Sequence, residues 1–507
     1  MNLKHSLPAK LAAGAVAITL LATAVAAESR PNIVIILADD LGYGDVGCYG
    51  ATKIPTPNID RLAREGMRFT DGHAPSAVCQ PTRAAILTGQ YYWRSTPNPG
   101  YSYYFDENEP LLPALLREAG YRTAGFGKWH LGFGLPKPAD FNGPLTPGTA
   151  EAGFDYYFGI PRSHNEPPFV FFENDRVYQL DPEDPIRVFT QEQKPHRHGW
   201  GSSEGAAAAH AARPEDEIDL IFARRCAEFI TGQEADKPFF LYVPFVAPHY
   251  PVSPHADFRG RSEAGAYGDF VVQLDHCVGL VLDALAEAGV ADNTLVFLTS
   301  DNGAVNVKEL LAVDHRPNGD LLGQKTDAWE GGHRVPLIAR WPDKIAPDSV
   351  SGSLFGLQDL WATSLAAADV KPPAGGGEDS IDQLPVLLGR GEEARREMVY
   401  QGVYGLALRQ GPWVYIPNRT SQGFTASGQP FGASFREMGF RSNFLDEDGE
   451  VLPEAPEVQL YDVTADPSQQ RNLAAGEPEL VSTLSARLRE IAGPSPRNIV
   501  ERPPAKP

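Results

Sequence analysis

The sequence predicts an α/β fold: a large, mostly parallel sheet flanked by helices on both faces, followed by a smaller C-terminal antiparallel sheet with a packing helix. Three observations predict it. Short apolar runs that read as buried strands alternate with amphipathic helical patterns, which is how a parallel sheet covered on both faces is written. A Pro- and Gly-rich stretch, Pro372-Pro373-Ala374-Gly375-Gly376-Gly377, then reads as an exposed connection, and the runs after it are short and separated by turns. Finally, 507 residues are too many for one small core and suggest two packed units.

The elements follow in chain order. Lys4, His5 and Lys10 precede an apolar stretch from Leu11 to Val25, and Ala24, Ala26 and Ala27 offer a cleavage site, so residues 1–27 read as a secretory signal peptide. The stretch is short for a membrane span of about 20 residues, and no other segment is long and apolar enough, so no stable span is expected after signal removal. Residues 28–375 read as the large α/β domain and 376–507 as the C-terminal α+β subdomain. Within the first, Ile33 to Leu37, Tyr121 to Phe126, Phe239 to Val246 and Leu295 to Leu298 read as strands. Between them Ile59 to Glu65, Leu111 to Glu118, Ile218 to Ile230 and Phe270 to Ala288 carry helical patterns. Within the second, Met398 to Tyr404, Leu406 to Arg409 and Trp413 to Ile416 read as strands and Glu479 to Ile491 as a helix. The segment from His164 to Arg213 has no clear period and reads as an elaborated loop near the cleft.

Composition excludes some classes. Against 44 Lys and Arg stand 65 Asp and Glu, a net charge of −21, and removing the signal takes away two lysines and no acid. A nucleic-acid partner needs a basic face, so none is expected, and an anionic substrate must be held by local cations against a repulsive background. Four cysteines, Cys48, Cys79, Cys226 and Cys277, are too few for a disulfide framework. Cys226 and Cys277 fall in helical patterns, as buried free thiols do.

Chemistry-bearing residues recur where strands end. In Cys79-Gln80-Pro81-Thr82-Arg83-Ala84-Ala85-Ile86-Leu87-Thr88-Gly89, Pro81 suits a first helical turn and Gly89 a stop, which puts Cys79 at the mouth of a short helix. Unpaired N–H groups there attract anions, with Arg83 one turn along. Asp39 and Asp40 follow the first strand, and Asp301 and Asn302 follow a later one. They offer only oxygen ligands, which favour Ca²⁺ or Mg²⁺ over zinc. Lys128 and His130 follow the strand at Tyr121, His249 follows the strand at Phe239, and Lys325 lies ahead of Trp329-Glu330-Gly331-Gly332-His333-Arg334. Positive groups stabilise an anionic transition state, and an imidazole protonates a leaving alkoxide. Because ligand crevices in such sheets lie beyond the carboxyl ends of the strands, these residues are expected to meet at one edge. His73, His276, His315 and His333 read as structural. Trp93, Arg94, Tyr103, Tyr104, His164 and Trp200 are candidates to stack on sugar rings or bind carboxylates.

The Cys79 run resembles the maturation signature of the type I, formylglycine-dependent sulfatases of the alkaline phosphatase superfamily. Asp39-Asp40-Leu41-Gly42-Tyr43-Gly44-Asp45, Gly127-Lys128-Trp129-His130-Leu131-Gly132, Pro248-His249, Ser300-Asp301-Asn302-Gly303 and Gln459-Leu460-Tyr461-Asp462 fall in that family's order. Phe154-Asp155-Tyr156-Tyr157-Phe158-Gly159-Ile160-Pro161 and Glu173-Asn174-Asp175 are similar to arylsulfatase and N-acetylgalactosamine-6-sulfatase-like members.

The resemblance implies that a maturation enzyme converts Cys79 to formylglycine, whose hydrated aldehyde attacks sulfur and is then regenerated as sulfate leaves. It implies that Asp39, Asp40, Asp301, Asn302 and modified Cys79 ligate a cation, usually Ca²⁺. By the same resemblance Arg83 supports the diol, Lys128 and Lys325 hold sulfate, His130 assists the diol and His249 is the leaving-group acid. The implied protein is an exported, periplasmic or secreted, hydrolase of sulfate esters, with a sulfated glycan as substrate. Thr82 and Gln90 depart from the pattern, where many members have Ser and Arg. Two alternatives stay open: a phosphodiesterase or phosphonate monoester hydrolase of the same superfamily, and a non-catalytic glycan-binding relative.

Overall fold

The computed structural model describes Met1 and residues 30–94, 102–188, 206–207, 213–233, 237–391, 393–423, 443–444, 446 and 451–493. The expected signal peptide and Trp200 lie outside the described residues. No helix among those described is long and apolar enough to cross a membrane.

The strands in chain order are β1 (Asn32–Asp39), β2 (Met67–Phe69), β3 (Gly72–His73), β4 (Arg122–Lys128), β5 (Tyr156–Ile160), β6 (Phe172–Glu173), β7 (Arg176–Val177), β8 (Arg187–Val188) and β9 (Ala206–Ala207). They continue with β10 (Phe239–Pro248), β11 (Thr294–Ser300), β12 (Leu337–Arg340), β13 (Ser349–Ser351), β14 (Phe355–Gly356), β15 (Glu397–Gln401), β16 (Leu406–Gln410), β17 (Trp413–Ile416) and β18 (Gln459–Asp462). The helices are α1 (Pro57–Arg64), α2 (Cys79–Thr88), α3 (Leu112–Glu118), α4 (Ile218–Thr231), α5 (Gly265–Glu287), α6 (Lys308–Ala312), α7 (Glu330–His333), α8 (Asp359–Ala367), α9 (Leu384–Leu387) and α10 (Pro478–Ala492).

The large sheet has ten strands in the order β13-β2-β12-β11-β1-β10-β4-β5-β6-β7. Its centre, β11, β1, β10, β4 and β5, is parallel as expected, with Ile35 of β1 paired to Tyr242 on one side and Phe297 on the other. The flanks are mixed: β13 pairs parallel to β2, β12 pairs antiparallel to both β11 and β2, and β6 and β7 add an antiparallel edge. Part of the segment expected as a loop from His164 therefore extends the sheet instead. A two-residue strand carries too little periodicity to be read from sequence.

Alternation along the central strands explains why both faces are covered. Ile33, Ile35 and Leu37 of β1 enter one core with α2, α3 and α8, whereas Val34, Ile36 and Ala38 enter the other with α1, α4 and α5. The helix ends follow local chemistry: Pro57 and Pro113 open α1 and α3, and Gly89 closes α2 with φ +68°.

The smaller sheet, β15-β16-β17-β18, is antiparallel throughout. One face packs Met398, Tyr400, Val414 and Tyr461 against Leu322 and Trp329, and the other packs Val399, Leu408 and Tyr415 against Leu484 and Leu488 of α10. Of the connection at 372–377, residues 372–375 are exposed as its composition predicts, whereas Gly376 is half-buried and Gly377 is buried against Trp361.

Candidate active site

The carboxyl ends of β1, β4, β10 and β11 converge with the start of α2. Asp39 closes β1, Lys128 closes β4, and His249 and Asp301 each follow the last residue of a strand. Lys325 arrives from the loop before α7. Asp39, Lys128, Arg83, Asp301 and Asn302 are fully buried. Asp39 and Asp40 are both buried and are therefore not a solvated turn.

The groups interlock. Lys128 Nζ donates to Asp39 Oδ2 at 2.6 Å and to Ser163 Oγ at 3.0 Å, and Lys325 Nζ donates to Asp40 Oδ1 at 2.6 Å. Arg83 donates through Nε and Nη2 to Asp301 Oδ2 at 2.9 and 2.6 Å and through Nη1 to the Lys128 carbonyl. Its guanidinium thus fixes a carboxylate and a strand end. Asn302 Nδ2 donates to Asp40 Oδ1 at 2.7 Å, and the Asp40 N–H donates to Asp301 Oδ1 at 3.2 Å. Asp40 and His130 hold left-handed backbone, φ +64° and +57°, which non-glycine residues adopt mainly where surrounding structure enforces it.

Charge compensation sets the protonation states. Burial opposes ionisation of Asp39, but Lys128, His249, Arg83 and Lys325 hold its carboxyl well below the usual range. Burial, with Asp39 beside it, pushes Asp301 up to about 7. Two close carboxylates that differ this much are in mutual repulsion, which a dication relieves. Burial also raises the Cys79 thiol, against Lys128 and Lys325, so as a thiol it stays protonated and poorly nucleophilic.

A cation fits this donor set. Asp39 Oδ1 and Asn302 Oδ1 are buried without a hydrogen-bond partner, each a lone-pair donor left over after the lysines, Arg83 and Asp40 are satisfied. Oxygens of Asp39 and Asp301 and Cys79 Sγ lie within 4.8 Å of one another. Mostly oxygen donors suit a hard cation such as Ca²⁺ or Mg²⁺.

The histidines take distinct places. His249 Nδ1 donates to the Tyr250 carbonyl at 2.6 Å, which leaves Nε2 facing Ser163 Oγ at 3.4 Å and Asp40 Oδ2 at 3.7 Å. That nitrogen is the one able to exchange a proton with a ligand. Burial, then Lys325, lowers its pKa, opposed by Asp40 and Asp39. His130 Nδ1 lies 3.5 Å from Cys79 Sγ, with Nε2 3.7 Å from Glu166.

Every candidate catalytic and metal residue therefore comes together. The candidate sugar-stacking residues do not: Trp93 is buried and stacked on Tyr91, Arg94 pairs with Asp379, and Tyr103 and Tyr104 sit in the core. His164 is buried and contacts the His249 carbonyl through Nε2 at 2.9 Å. Sequence reasoning missed Ser163, which links Lys128 to His249, and Asp219, whose carboxylate accepts the Val246 and Ala247 N–H groups just ahead of His249. The cue that could have found Ser163 is indirect: Tyr156–Ile160 forms β5, whose end belongs to the same edge, but the serine itself carries no local mark. Cys48, Cys79, Cys226 and Cys277 are all free, and Cys226 and Cys277 are buried.

The chain has known counterparts. The family model described as Sulfatase matches residues 31–370. The N-acetylgalactosamine-6-O-sulfatase of Bacteroides thetaiotaomicron is 37% identical over 501 residues, covering 92% of this chain and 93% of that protein. Human arylsulfatase A is 32% identical over 482 residues, covering 92% and 88%. Among solved structures, one from work on the metabolism of multiple glycosaminoglycans by Bacteroides thetaiotaomicron superposes with a TM-score of 0.79 at 33% identity, covering 92% of this chain and 99% of the other.

Proposed function

The chain belongs to the sulfatase family and is a sulfuric ester hydrolase, and from that premise we propose that it desulfates a carbohydrate using a formylglycine made from Cys79 and a divalent cation, Ca²⁺ or Mg²⁺. The observation that carries this reading is the convergence of Cys79 at the start of α2 with Asp39, Asp40, Asp301 and Asn302 on one side and Lys128, Lys325 and His249 around it. The cation supplies charge neutralisation and polarises a sulfate oxygen, and the hydrated aldehyde supplies a nucleophile with a second hydroxyl on the same carbon.

The chain's own residues do the rest. Asp39, Asp40, Asp301 and Asn302 would hold the cation through oxygens. Arg83 keeps Asp301 in place and neutralises one of the carboxylates that would otherwise repel the substrate. Lys128 and Lys325, now bound to Asp39 and Asp40, are placed to turn toward the sulfate oxygens. His130 stands beside residue 79 and can take a proton from a hydroxyl there. His249, its tautomer fixed by the Tyr250 carbonyl, presents Nε2 to protonate the leaving sugar oxygen.

The relatives named for N-acetylgalactosamine 6-sulfate make that the first substrate class to assay. Residues 1–27 support export, with a maturation enzyme acting on Cys79, and the mature protein working outside the cytoplasm on a sulfated glycan. The test is peptide mass spectrometry of protein from the native host, coupled to release of sulfate from sulfated N-acetylgalactosamine. An aldehyde mass at residue 79, with a mature start near Glu28 and sulfate release, is the expected outcome. Active protein with an unmodified thiol at residue 79 overturns the nucleophile.

A further inference from the structure

The structure assigns a second metal site, for a zinc-class dication, to the buried cluster of His73, Glu330 and His333, a set of residues separate from the catalytic edge. His73 ends β3, and Glu330 and His333 begin and end the short α7; all three are fully buried. Their imidazoles face one another through Nδ1, at 3.1 Å. Each outer nitrogen is engaged with an acceptor: His73 Nε2 lies 2.8 Å from Asp71 Oδ1, and His333 Nε2 lies 3.2 Å from the Ala328 carbonyl. Asp71 is held by the guanidinium groups of Arg334 and Arg409, and a carbonyl oxygen only accepts, so both acceptors call for N–H at Nε2. A neutral imidazole has only one N–H, which leaves two Nδ1 lone pairs pointing at each other. Something positive belongs between them.

Glu330 decides what it is. Its Oε2 accepts from Arg334 Nε at 2.7 Å, while Oε1 is buried with no hydrogen-bond partner. A ring nitrogen of each histidine and a Glu330 oxygen lie within 4.8 Å of one another. A proton shared by the rings satisfies the nitrogens and leaves Oε1 unmatched, whereas a dication uses all three donors. Two imidazoles and a carboxylate are a zinc-type set, unlike the mostly oxygen catalytic edge. Tetrahedral Zn–N bonds put two ligating nitrogens about 3.3 Å apart, close to the 3.1 Å observed. Ligating histidines characteristically donate their other N–H to a carboxylate or a carbonyl, and both do so here.

The site's position gives it a structural role. The run from His73 leads to Cys79, α7 follows the Lys325 loop, and Tyr400 of β15 stacks on His333 with ring centroids 3.8 Å apart. A metal here ties both loops to the smaller sheet.

Because the cluster is closed to solvent, the metal enters as the chain folds, and the test counts it in protein produced that way. Full-length protein expressed with added zinc is dialysed against excess calcium and its zinc measured by mass spectrometry, in wild type and in a Cys79→Ala background that removes any thiol-bound zinc from the catalytic edge. One retained zinc per chain in both, with two imidazoles in its X-ray absorption spectrum, is expected. Glu330→Gln and His333→Gln should each lose that zinc. Folded wild type that retains no zinc overturns the site and leaves a proton between the rings, as does zinc undiminished in both variants.

Discussion

The roles of single side chains separate by what each touches. On the proposed mechanism Cys79→Ala removes the nucleophile, and it should lower turnover by about 10³-fold or more with the melting temperature little changed, measured as sulfate release against a thermal melt. As the proposed acid, His249 is needed only where the leaving group needs a proton. His249→Ala should cost about 10²–10⁴-fold on a sugar sulfate and far less on para-nitrophenyl sulfate, whose phenolate leaves unaided. Equal losses on the two substrates would remove it as the acid. Most of this site was legible in the sequence because its members stand at the ends of apolar runs or in motifs of fixed order. Ser163 and Glu166 were not, since a serine or glutamate in a Pro-rich stretch looks like any solvated loop residue until the chain folds it beside Lys128 or His130.

At the scale of elements, what matters is how a strand end is fixed. Asp219, in the first turn of α4, accepts the Val246 and Ala247 N–H groups and so anchors the chain just ahead of His249. Burial raises its pKa to about 7, against those two hydrogen bonds. The folded form then binds one more proton than the unfolded chain between about pH 4 and 7, so this carboxyl adds stability as pH falls through that window and loses it as pH rises through 7. The wild type should therefore gain on Asp219→Asn, by an amount on the order of a few kcal/mol, between pH 7.5 and 5 in paired thermal melts. The variant should also lose kcat more than KM, because the Asn NH₂ faces an N–H and shifts His249. Gly303 is a close approach: a Cβ there would lie 1.9 Å from the Gly331 carbonyl oxygen. Gly303→Ala should cost about 1–3 kcal/mol in a denaturant titration and displace Asn302. Helices α3, α4 and α10 fell within a few residues of their sequence limits because their apolar stripes are regular. By contrast α5 starts at Gly265, earlier than its apolar pattern, since its first turn is partly exposed and polar residues there gave no periodic cue.

For the whole molecule, the two sheets stand to each other through the catalytic loops. The Ala77 N–H donates to the Gln401 carbonyl, Thr326 N–H to the Ala77 carbonyl, and Val403 N–H to the Thr326 carbonyl. The proposed cation would stabilise this arrangement by mass action, by about 2.7 kcal/mol at a hundredfold excess over its Kd. Chelation should lower the melting temperature together with activity, and calcium should restore both. A melting temperature indifferent to chelator would show that the edge is held without a metal. The parallel centre of the large sheet and the separate antiparallel sheet were both legible, because buried strands are continuous apolar runs and surface strands alternate. The antiparallel flanks were not, because strand direction at an edge is set by which neighbour the chain returns to, a long-range fact with no local mark.

The hydrogen bonds from β15 to the segment before Cys79 also impose an order in time. Residue 79 is only 6% exposed in the finished fold, and the strand that secures its approach is made more than three hundred residues later. If Cys79 is converted as proposed, the modifying enzyme would have to reach it while the emerging chain is still open. Synthesis of the C-terminal sheet then works as a deadline, after which an unconverted thiol is sealed in.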